Sequence, residues 1–390
     1  MTGTPPRLRV ALDGEPLLGR RTGVGNFTLG LLEGLAALDR VDLNVFAVTW
    51  RMRPELATRL PAGARLIGRP MPARPVRALW ERRVEVPLEV FTGRLDVVHG
   101  TNFVVPPTWR AARVLTVHDL TPLHFPEMCQ PETLVFPELI RRAVRQGAFV
   151  HTHSRFVADE VIEAFGAAPE RVRVVWSGIP PLARPPATGA GPAIPFDRYV
   201  LAVGTVEPRK DYPGLVRAFD AVASSRPDVG LVIVGADGWG AEDFRAAVDR
   251  AAHRDRILQL GYVDDRDLTA VLQQADLLAY PSRYEGFGYP PLQAMAAGVP
   301  VVATAAGSVP EVVGDAAVLV APGDGDALAA AMAAVLDDRD RAVGLGQAGR
   351  ERAGTFSWEA CARGISGIYS EAASRTTRKP RPWRSRGAGR

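Results

Sequence analysis

Cysteine is scarce in this chain, and its scarcity excludes several kinds of stabilising site. Only two cysteines occur among the 390 residues, Cys129 and Cys361, and they lie far apart in sequence. Two such residues cannot build a disulfide framework or the ligand spacing of a zinc site. We therefore expect a protein of a reducing compartment, which indicates the cytoplasm.

Long apolar runs are also missing. Nowhere do about 18 apolar residues follow one another, which is the length that a membrane-spanning helix needs. The segment from Met1 to Arg9 lacks the apolar stretch that follows the charges of a signal peptide. We expect neither a signal peptide nor a membrane span.

Lysine is scarce too, although basic residues are plentiful. Of the 47 basic residues only Lys210 and Lys379 are lysines. In a sequence that otherwise uses arginine, a lysine beside Arg209 after a predicted strand indicates a need for a compact ammonium group. Phosphate is the natural partner of such a group. The alternative is an ordinary surface lysine, since Lys379 lies in a polar tail.

Charge is distributed unevenly along the chain. The formal net charge is only +4, but residues 375–390 carry basic side chains and no acidic ones. A run of this composition cannot bury a core, so we expect a basic disordered tail. We interpret it as a solvated tail, and attraction to an anionic membrane surface is the alternative. Nucleic acid is a poorer partner, because only Trp383 offers a base a surface for stacking.

Length and patterning predict two domains. A chain of 390 residues exceeds the size at which one core keeps growing. Apolar runs alternate with helical patterns, which indicates an α/β fold of two Rossmann-like domains with parallel sheets. We place an N-terminal domain at 1–178, a linker rich in proline, glycine and alanine at 179–196, and a C-terminal domain at 197–355. A helix at 356–374 follows.

A glycine-rich loop opens the N-terminal domain. The strand Leu8–Asp13 leads to the loop Gly19–Asn26 and then to a helix from about Phe27 to Leu38. Free amides at the start of a helix suit an anion. Gly23-Val24-Gly25 is weak evidence by itself, because it lacks the third glycine and the acidic partner of a dinucleotide fingerprint.

Three histidines of this domain are candidates for a site. His118 follows a buried strand, and side chains at the carboxyl ends of parallel strands face the ligand crevice. His151 and His153 alternate on another predicted strand and so share a face. Two histidines without a third ligand make a poor metal site. We therefore expect no metal and place both rings beneath the crevice.

The most informative stretch of the sequence lies at 285–298. Glu285 precedes the turn Gly286-Phe287-Gly288 and a helix from about Pro291 to Ala297. Amides at the helix start suit a phosphate or a cluster of sugar hydroxyls, and the carboxylate of Glu285 suits neutral hydroxyls. Gln293 projects from the helix with an amide that both donates and accepts. The alternative is a tight turn before an ordinary core helix.

This stretch resembles the E-x7-E signature of retaining glycosyltransferases of the GT-B fold. The resemblance is to the large family that contains bacterial mannosyltransferases and glycogen synthase relatives. The flanking segments Ala279–Tyr284 and Pro310–Ala317 match that family as well. One position departs from the signature, because its second glutamate is Gln293 here.

The resemblance implies a fold, an activity and a set of site residues. The fold is GT-B architecture, two Rossmann-like domains facing across a deep cleft, with the helix 356–374 crossing back onto the first. The activity is transfer of a hexose with retention at the anomeric carbon, without a metal or other cofactor. The catalytic residues would be His118 and Glu285 on the sugar and Arg209 and Lys210 on the donor diphosphate. Further donor contacts would be made by Gly23, Val24, Gly25, Gly204, Thr205, Tyr262, Val263, Gly286, Phe287, Gly288 and Gln293.

In the mechanism favoured for this family, a donor phosphate oxygen takes the proton of the acceptor. Gln293 would still bind the ribose hydroxyls, but it lacks charge assistance, which costs about 1–2 kcal/mol per contact. We expect GDP-mannose as the donor, with UDP-glucose or a non-catalytic sugar-nucleotide-binding protein as alternatives. The acceptor stays open among a glycan, a lipid-linked molecule and a small molecule. A phosphorylase is disfavoured, because Lys210 is the only lysine outside the tail that could hold pyridoxal phosphate.

Overall fold

The structure is a computed structural model and describes residues 7–20, 22–71, 86–180, 182–183 and 191–377. Residues 181 and 184–190 of the predicted linker 179–196, and residues 378–390 of the predicted tail 375–390, lie outside the described residues. Residues 375–377, predicted to be disordered, belong instead to the last helix.

A seven-stranded parallel sheet forms the first domain. Its strands lie in the order β3-β2-β1-β4-β5-β6-β7. They are β1 (Leu8–Asp13), β2 (Val41–Phe46), β3 (Arg65–Leu66), β4 (Val97–Gly100), β5 (Ala112–Val117), β6 (Phe149–Thr152) and β7 (Val172–Val174). Strand order reverses between β1 and β4, and in such sheets ligands bind beyond the carboxyl ends of the strands at this point.

The second domain repeats the plan with six parallel strands. Their order is β10-β9-β8-β11-β12-β13, with the reversal between β8 and β11. They are β8 (Arg198–Val203), β9 (Val229–Val234), β10 (Ile257–Gly261), β11 (Leu277–Tyr280), β12 (Val301–Thr304) and β13 (Val318–Val320). These two parallel sheets confirm the predicted α/β fold of two Rossmann-like domains.

Helices connect the strands and cover the sheets. In the first domain they are α1 (Gly23–Leu38), α2 (Arg53–Arg59), α3 (Glu89–Thr92), α4 (Thr121–His124), α5 (Phe136–Arg145) and α6 (Arg155–Phe165). From the second domain onward they are α7 (Tyr212–Ala223), α8 (Ala241–Arg250), α9 (Asp265–Gln274), α10 (Tyr289–Ala297), α11 (Val309–Val313), α12 (Gly325–Asp337), α13 (Arg339–Ala353) and α14 (Trp358–Thr377).

Most strand residues are apolar, because helices cover both faces of each sheet. On β8, Val200 and Ala202 pack in one core cluster with residues of α7, α8 and α12. Tyr199 and Leu201 point to the other face and pack with residues of α9, α10 and α11. Alternation along one strand therefore builds two cores, and the functional side chains are confined to the strand ends.

The last helix, α14, crosses back onto the first domain as predicted. Its residues Ile365 and Tyr369 are buried with residues of α1 and the first sheet. A Cβ on Gly30 of α1 would lie 2.2 Å from the Trp358 ring, and one on Gly34 would lie 2.9 Å from Ala362 Cβ. The two helices can approach this closely because α1 has glycine at both positions.

Among the described residues, no helix combines the length and the apolarity needed to cross a membrane.

Candidate active site

A buried cluster of charges surrounds the Glu285 carboxylate. Lys210 Nζ lies 2.6 Å from Glu285 Oε1, and Arg209 Nη1 lies 2.6 Å from Glu285 Oε2. Glu285 is 5% exposed and Lys210 is 7% exposed. Because β8 and β11 are neighbours in the sheet, the segments that follow them bring these three residues together.

Local structure fixes the two cations. The residues Pro208–Lys210 form a short 3-10 turn, which ends at Asp211 in the left-handed region with a φ of 47°. Lys210 Nζ also donates to the hydroxyl of Tyr280 at 2.8 Å. Arg209 additionally pairs with Glu207 at 2.5 Å. Both cations are thus already paired with carboxylates, which sequence reasoning did not foresee.

The charge state of the cluster follows from these contacts. Burial would raise the pKa of the Glu285 carboxyl, but the positive charges of Arg209 and Lys210 outweigh it and lower that pKa to about 2. Burial lowers the pKa of the Lys210 ammonium, and the attraction of Glu285 opposes this shift. Glu285 is therefore a carboxylate at neutral pH and a very weak base.

The two domains touch at the glycine that follows Glu285. A Cβ on Gly286 would lie 1.8 Å from the carbonyl oxygen of His118 and 2.8 Å from Asp119 Cβ. Any side chain at residue 286 would therefore push the loop away from the end of β5. Gly288, with a φ of 104°, is the N-cap of α10. The helix therefore starts at Tyr289 and not at the predicted Pro291. The side chain of Phe287 is buried in the core of the second domain.

His118 lies at the cleft with both ring nitrogens engaged. Its Nε2 is 2.8 Å from the carbonyl oxygen of Thr101, which can only accept, so this nitrogen carries the proton. Its Nδ1 therefore accepts from His153 Nε2 at 2.9 Å. Burial lowers the pKa of His118 to about 4, so the ring is neutral near pH 7.

A second hydrogen-bonded chain lies beneath the cleft. His151 Nε2 donates to the carbonyl of Val175 at 3.0 Å, and His151 Nδ1 accepts from the hydroxyl of Thr116 at 2.9 Å. Thr116 in turn accepts from His99 Nε2 at 2.8 Å, and His99 Nδ1 accepts from the hydroxyl of Tyr369 at 2.7 Å. Sequence reasoning missed His99, because no local pattern marks a histidine whose partners come from β5 and α14.

Metal ligation finds no support in these side chains. Within the described ranges there is no group of three or more His, Cys, Asp or Glu side chains that could hold an ion.

The glycine-rich segment of the first domain lies on a helix. Gly23, Val24 and Gly25 form the first turn of α1 after Thr22, whereas the sequence had predicted a loop up to Asn26. The amides of this first turn have no partner within the helix. A Cβ on Gly23 would lie 3.6 Å from the ring of Tyr289, so the starts of α1 and α10 meet across the cleft.

Four predicted donor contacts follow strands of the second sheet. Gly204 and Thr205 follow β8, and Gly204 has a φ of 148°, in a region that side chains rarely adopt. Tyr262 and Val263 follow β10. The Tyr262 ring is 53% exposed and lies 5.6 Å from the Arg20 guanidinium carbon of the first domain.

Two groups can be distinguished among the predicted residues. One group contains Arg209, Lys210 and Glu285, with His118 beside Gly286. The other contains Gln293 and Tyr262, which line cavities beside α1. Gln293 lines a cavity of about 220 Å³ with Asp265 and Asn26, and Tyr262 lines another with Arg20.

Family models match both domains. Residues 193–352 match the model of the glycosyl transferases group 1, and residues 21–181 match that of glycosyltransferase family 4.

Known proteins resemble the chain over most of its length. The O-antigen chain mannosyltransferase B of Escherichia coli is 30% identical over 377 residues, or 91% of this chain and 97% of that protein. The glycogen synthase of Mycobacterium tuberculosis is 32% identical over 309 residues, or 74% of this chain and 72% of that protein. The solved structure of sucrose-phosphate synthase from Thermosynechococcus elongatus matches with a TM-score of 0.73 at 22% identity, covering 95% of this chain and 100% of that one. Since the match to mannosyltransferase B spans nearly the whole of both proteins and each domain has its own family model, this chain belongs to the group 1 glycosyltransferases of the GT-B fold.

Proposed function

We propose that the protein is a retaining, metal-independent mannosyltransferase that uses GDP-mannose as donor. The acceptor would be a glycan, a lipid-linked molecule or a small molecule. The observation that carries the proposal is the buried cluster of Arg209, Lys210 and Glu285, at the strand ends where the two domains meet. The likeness to a mannosyltransferase over 97% of that protein supports mannose as the sugar.

Leaving-group stabilisation would fall to the two cations. As the glycosidic bond breaks, negative charge grows on the donor phosphate, and fixed positive groups in a buried site stabilise it strongly. Lys210 and Arg209 are held within 2.6 Å of a carboxylate, so an incoming diphosphate must compete with Glu285 for them. Such competition would release Glu285 oxygens toward the hydroxyls of the donor sugar.

Additional anion contacts would come from helix ends. The first-turn amides of α1, at Gly23 to Gly25, have no partner within the helix, and they lie at the cleft with the start of α10, after Gly288. Helix N-termini favour phosphate through these amides and through the helix dipole.

Proton transfer would bypass the enzyme side chains. Glu285, with a pKa of about 2, is too weak a base to take a proton from a hydroxyl near pH 7. His118 already uses both ring nitrogens within the first domain. We therefore assign the proton to an oxygen of the departing donor phosphate, which is consistent with retention in a front-face displacement.

A glucose-type donor such as UDP-glucose is the second candidate. The likeness to a glycogen synthase at 32% identity favours it. Its nucleotide would occupy the same strand ends, with Gln293 on the ribose hydroxyls and Tyr262 and Val263 near the base.

A donor screen tests the proposal. The purified full chain is incubated with a panel of nucleotide sugars, binding isotherms are recorded for GDP-mannose and UDP-glucose, and products are detected by mass. We expect GDP-mannose turnover, abolished by Glu285→Ala and retained by Glu359→Ala, whose side chain is 68% exposed on α14. Equal turnover in wild type and Glu285→Ala would remove the cluster from the reaction, and binding without turnover would indicate a non-catalytic protein.

A further inference from the structure

One helix of the first domain contacts the second domain at three places around Glu285. The helix is α6, and its partners are Tyr284, Gly286 and Glu311. We propose that α6 and its N-cap hold the Glu285 loop in its working position, with Tyr284 as the principal positioning residue. The inference rests on the proposed function and adds a role for the first domain in it.

Tyr284 belongs to the second domain, but first-domain groups enclose its side chain. The residue is 4% exposed. Its ring centroid lies 5.5 Å from that of Phe125 and 5.9 Å from those of His124 and Phe156. Its hydroxyl accepts from the Leu120 amide at 3.1 Å. The side chain thus fits into the other domain at the residue that precedes Glu285.

The same hydroxyl donates to a carboxylate on α6. Its acceptor is Glu160 Oε2, and Glu160 Oε1 lies 2.9 Å from His124 Nε2. Hydrogen bonds to ionised acceptors are stronger than those between neutral groups, and a partly buried site reduces competition from water. Glu160 therefore anchors Tyr284 at the middle of α6.

The backbone of Tyr284 carries this anchoring into the charge cluster. Arg209 Nη1 donates to the carbonyl oxygen of Tyr284 at 2.9 Å and lies 2.6 Å from Glu285 Oε2. One guanidinium nitrogen thus contacts both Tyr284 and Glu285, which are consecutive residues of the loop. A shift of Tyr284 would move the peptide that leads to Glu285.

The start of α6 supplies the other two contacts. Ser154, the N-cap of α6, donates its hydroxyl to the Gly286 carbonyl at 3.0 Å. Glu311 accepts from the Arg155 amide at 2.8 Å and from the Phe156 amide at 3.2 Å, groups that a helix leaves unpaired. The Glu311 segment is itself tied to the loop, because the Ser308 amide donates to the Glu285 carbonyl at 2.9 Å.

This arrangement predicts which kinetic constant changes. The proposed diphosphate contacts, Arg209 and Lys210, belong to the second domain and remain when Tyr284 loses its hydroxyl. Donor KM should therefore change little. The geometry of Glu285 against the sugar should deteriorate, and small misplacements of catalytic groups lower kcat.

The test compares two identical substitutions. Tyr284→Phe keeps the ring but removes both hydroxyl contacts to the first domain. Tyr199→Phe is the matched control, because the Tyr199 hydroxyl donates to the Val271 carbonyl at 2.6 Å within the second domain. We expect Tyr284→Phe to lower kcat about tenfold, on the scale of losing hydrogen bonds of this kind, with donor KM within about twofold. Tyr199→Phe should keep kcat within about twofold.

Hydrogen exchange at the Leu120 amide reports the contact without an activity assay. Tyr284→Phe should speed this exchange, whereas Tyr199→Phe should leave it unchanged. Unchanged exchange in Tyr284→Phe, a wild-type kcat in that variant, or an equal loss of kcat in both variants would overturn the inference. Failure of the proposed function looks different, since Glu285→Ala would then turn over at the wild-type rate.

Discussion

Lys210 and Arg209 are adjacent in sequence but are held in different ways. Lys210 Nζ has the Glu285 carboxylate and the Tyr280 hydroxyl as partners. Arg209 spreads its contacts over Glu285, Glu207 and the carbonyl of Tyr284. Removal of either cation therefore leaves part of the Glu285 charge uncompensated. It would also deprive the donor phosphate of one of its two fixed positive groups.

We predict that Lys210→Ala and Arg209→Ala each lower the rate of sugar transfer by about 10²-fold, on the scale of losing one charge-stabilising donor. Steady-state kinetics with saturating donor measure this loss. The matched control is Arg283→Ala, because Arg283 pairs with Asp211 at 3.3 Å beside the cluster and its side chain is 46% exposed. Rates unchanged in both site variants would remove Arg209 and Lys210 from the mechanism.

Gln293 is the position at which the sequence departs from the family signature, and its effect should appear in donor binding. It lines the same cavity as Asp265 and Asn26. A carboxylate there would accept from ribose hydroxyls with charge assistance, which strengthens such a bond by about 1–2 kcal/mol. We predict that Gln293→Glu tightens donor binding roughly tenfold and that Gln293→Ala weakens it, as measured by calorimetric titration of nucleotide. Weaker binding by Gln293→Glu would show that repulsion from Asp265 dominates.

Packing between α1 and α14 depends on two glycines that flank one tryptophan ring. A Cβ on Gly30 would lie 2.2 Å from the ring of Trp358, and a Cβ on Gly178 would lie 2.5 Å from it. The ring thus has backbone on both sides and little space into which to move.

We predict that Gly30→Ala destabilises the protein by about 1–3 kcal/mol, the usual cost of overpacking. Gly367→Ala is the control, because Gly367 lies on α14 with open space around its Cβ position. That substitution should stabilise the helix by up to about 1 kcal/mol. Urea unfolding measures the free energy of unfolding, which should fall in Gly30→Ala and rise in Gly367→Ala. A Gly30→Ala variant as stable as wild type would mean that the Trp358 ring can move aside.

The kind of each element was predictable, but the start of a helix was predictable only where a local signal marks it. The start of α6 carries such a signal, because the N-cap Ser154 is followed by an apolar helical period from Arg155 to Phe165. In contrast, hydrophobic periodicity predicts a helix from Leu268 to Ala275, whereas α9 begins three residues earlier, at Asp265. Its first turn is polar and solvent-facing, and Asp264 supplies the cap, so hydrophobic periodicity could not reveal it.

For the molecule as a whole, the sequence predicted two domains with parallel sheets, but not how the domains meet. Tyr284 and Glu311 lie in segments that matched the family, yet their partners, Glu160 and the Arg155 amide, belong to the other domain. Ion pairing of Arg209 and Lys210 with Glu285 was equally hidden, because it joins two strand ends that are neighbours only in the folded sheet. Contacts of this kind require the tertiary structure.

Four histidines of the first domain, three of them buried, should make the stability of the whole protein depend on pH. Burial lowers the pKa of His118 and His151 to about 4, and those of His99 and His153 are lowered as well. Unfolded histidine titrates near pH 6.5, so between about pH 6.5 and 4 the unfolded chain binds protons that the folded chain does not. Stability should therefore fall as the pH drops through this window. Each histidine can contribute up to about 1.4 kcal/mol per pH unit there.

The His153→Phe variant tests this dependence through a slope. The His153 ring lies 4.6 Å from Phe27 and 5.6 Å from Phe287, so a phenyl ring has apolar neighbours there. We predict that His153→Phe lowers the slope of unfolding free energy against pH by up to about 1.4 kcal/mol per pH unit relative to wild type, which corresponds to one proton. The slope is measured for both proteins by urea titration between about pH 5 and 6. This comparison does not depend on the absolute stability of the variant, because the slope reports only the difference in the number of protons bound by the unfolded and the folded chain. A wild-type protein equally stable at about pH 7 and 4.5 would contradict the assignment of neutral, buried rings, since protons would then bind the folded and unfolded chains alike.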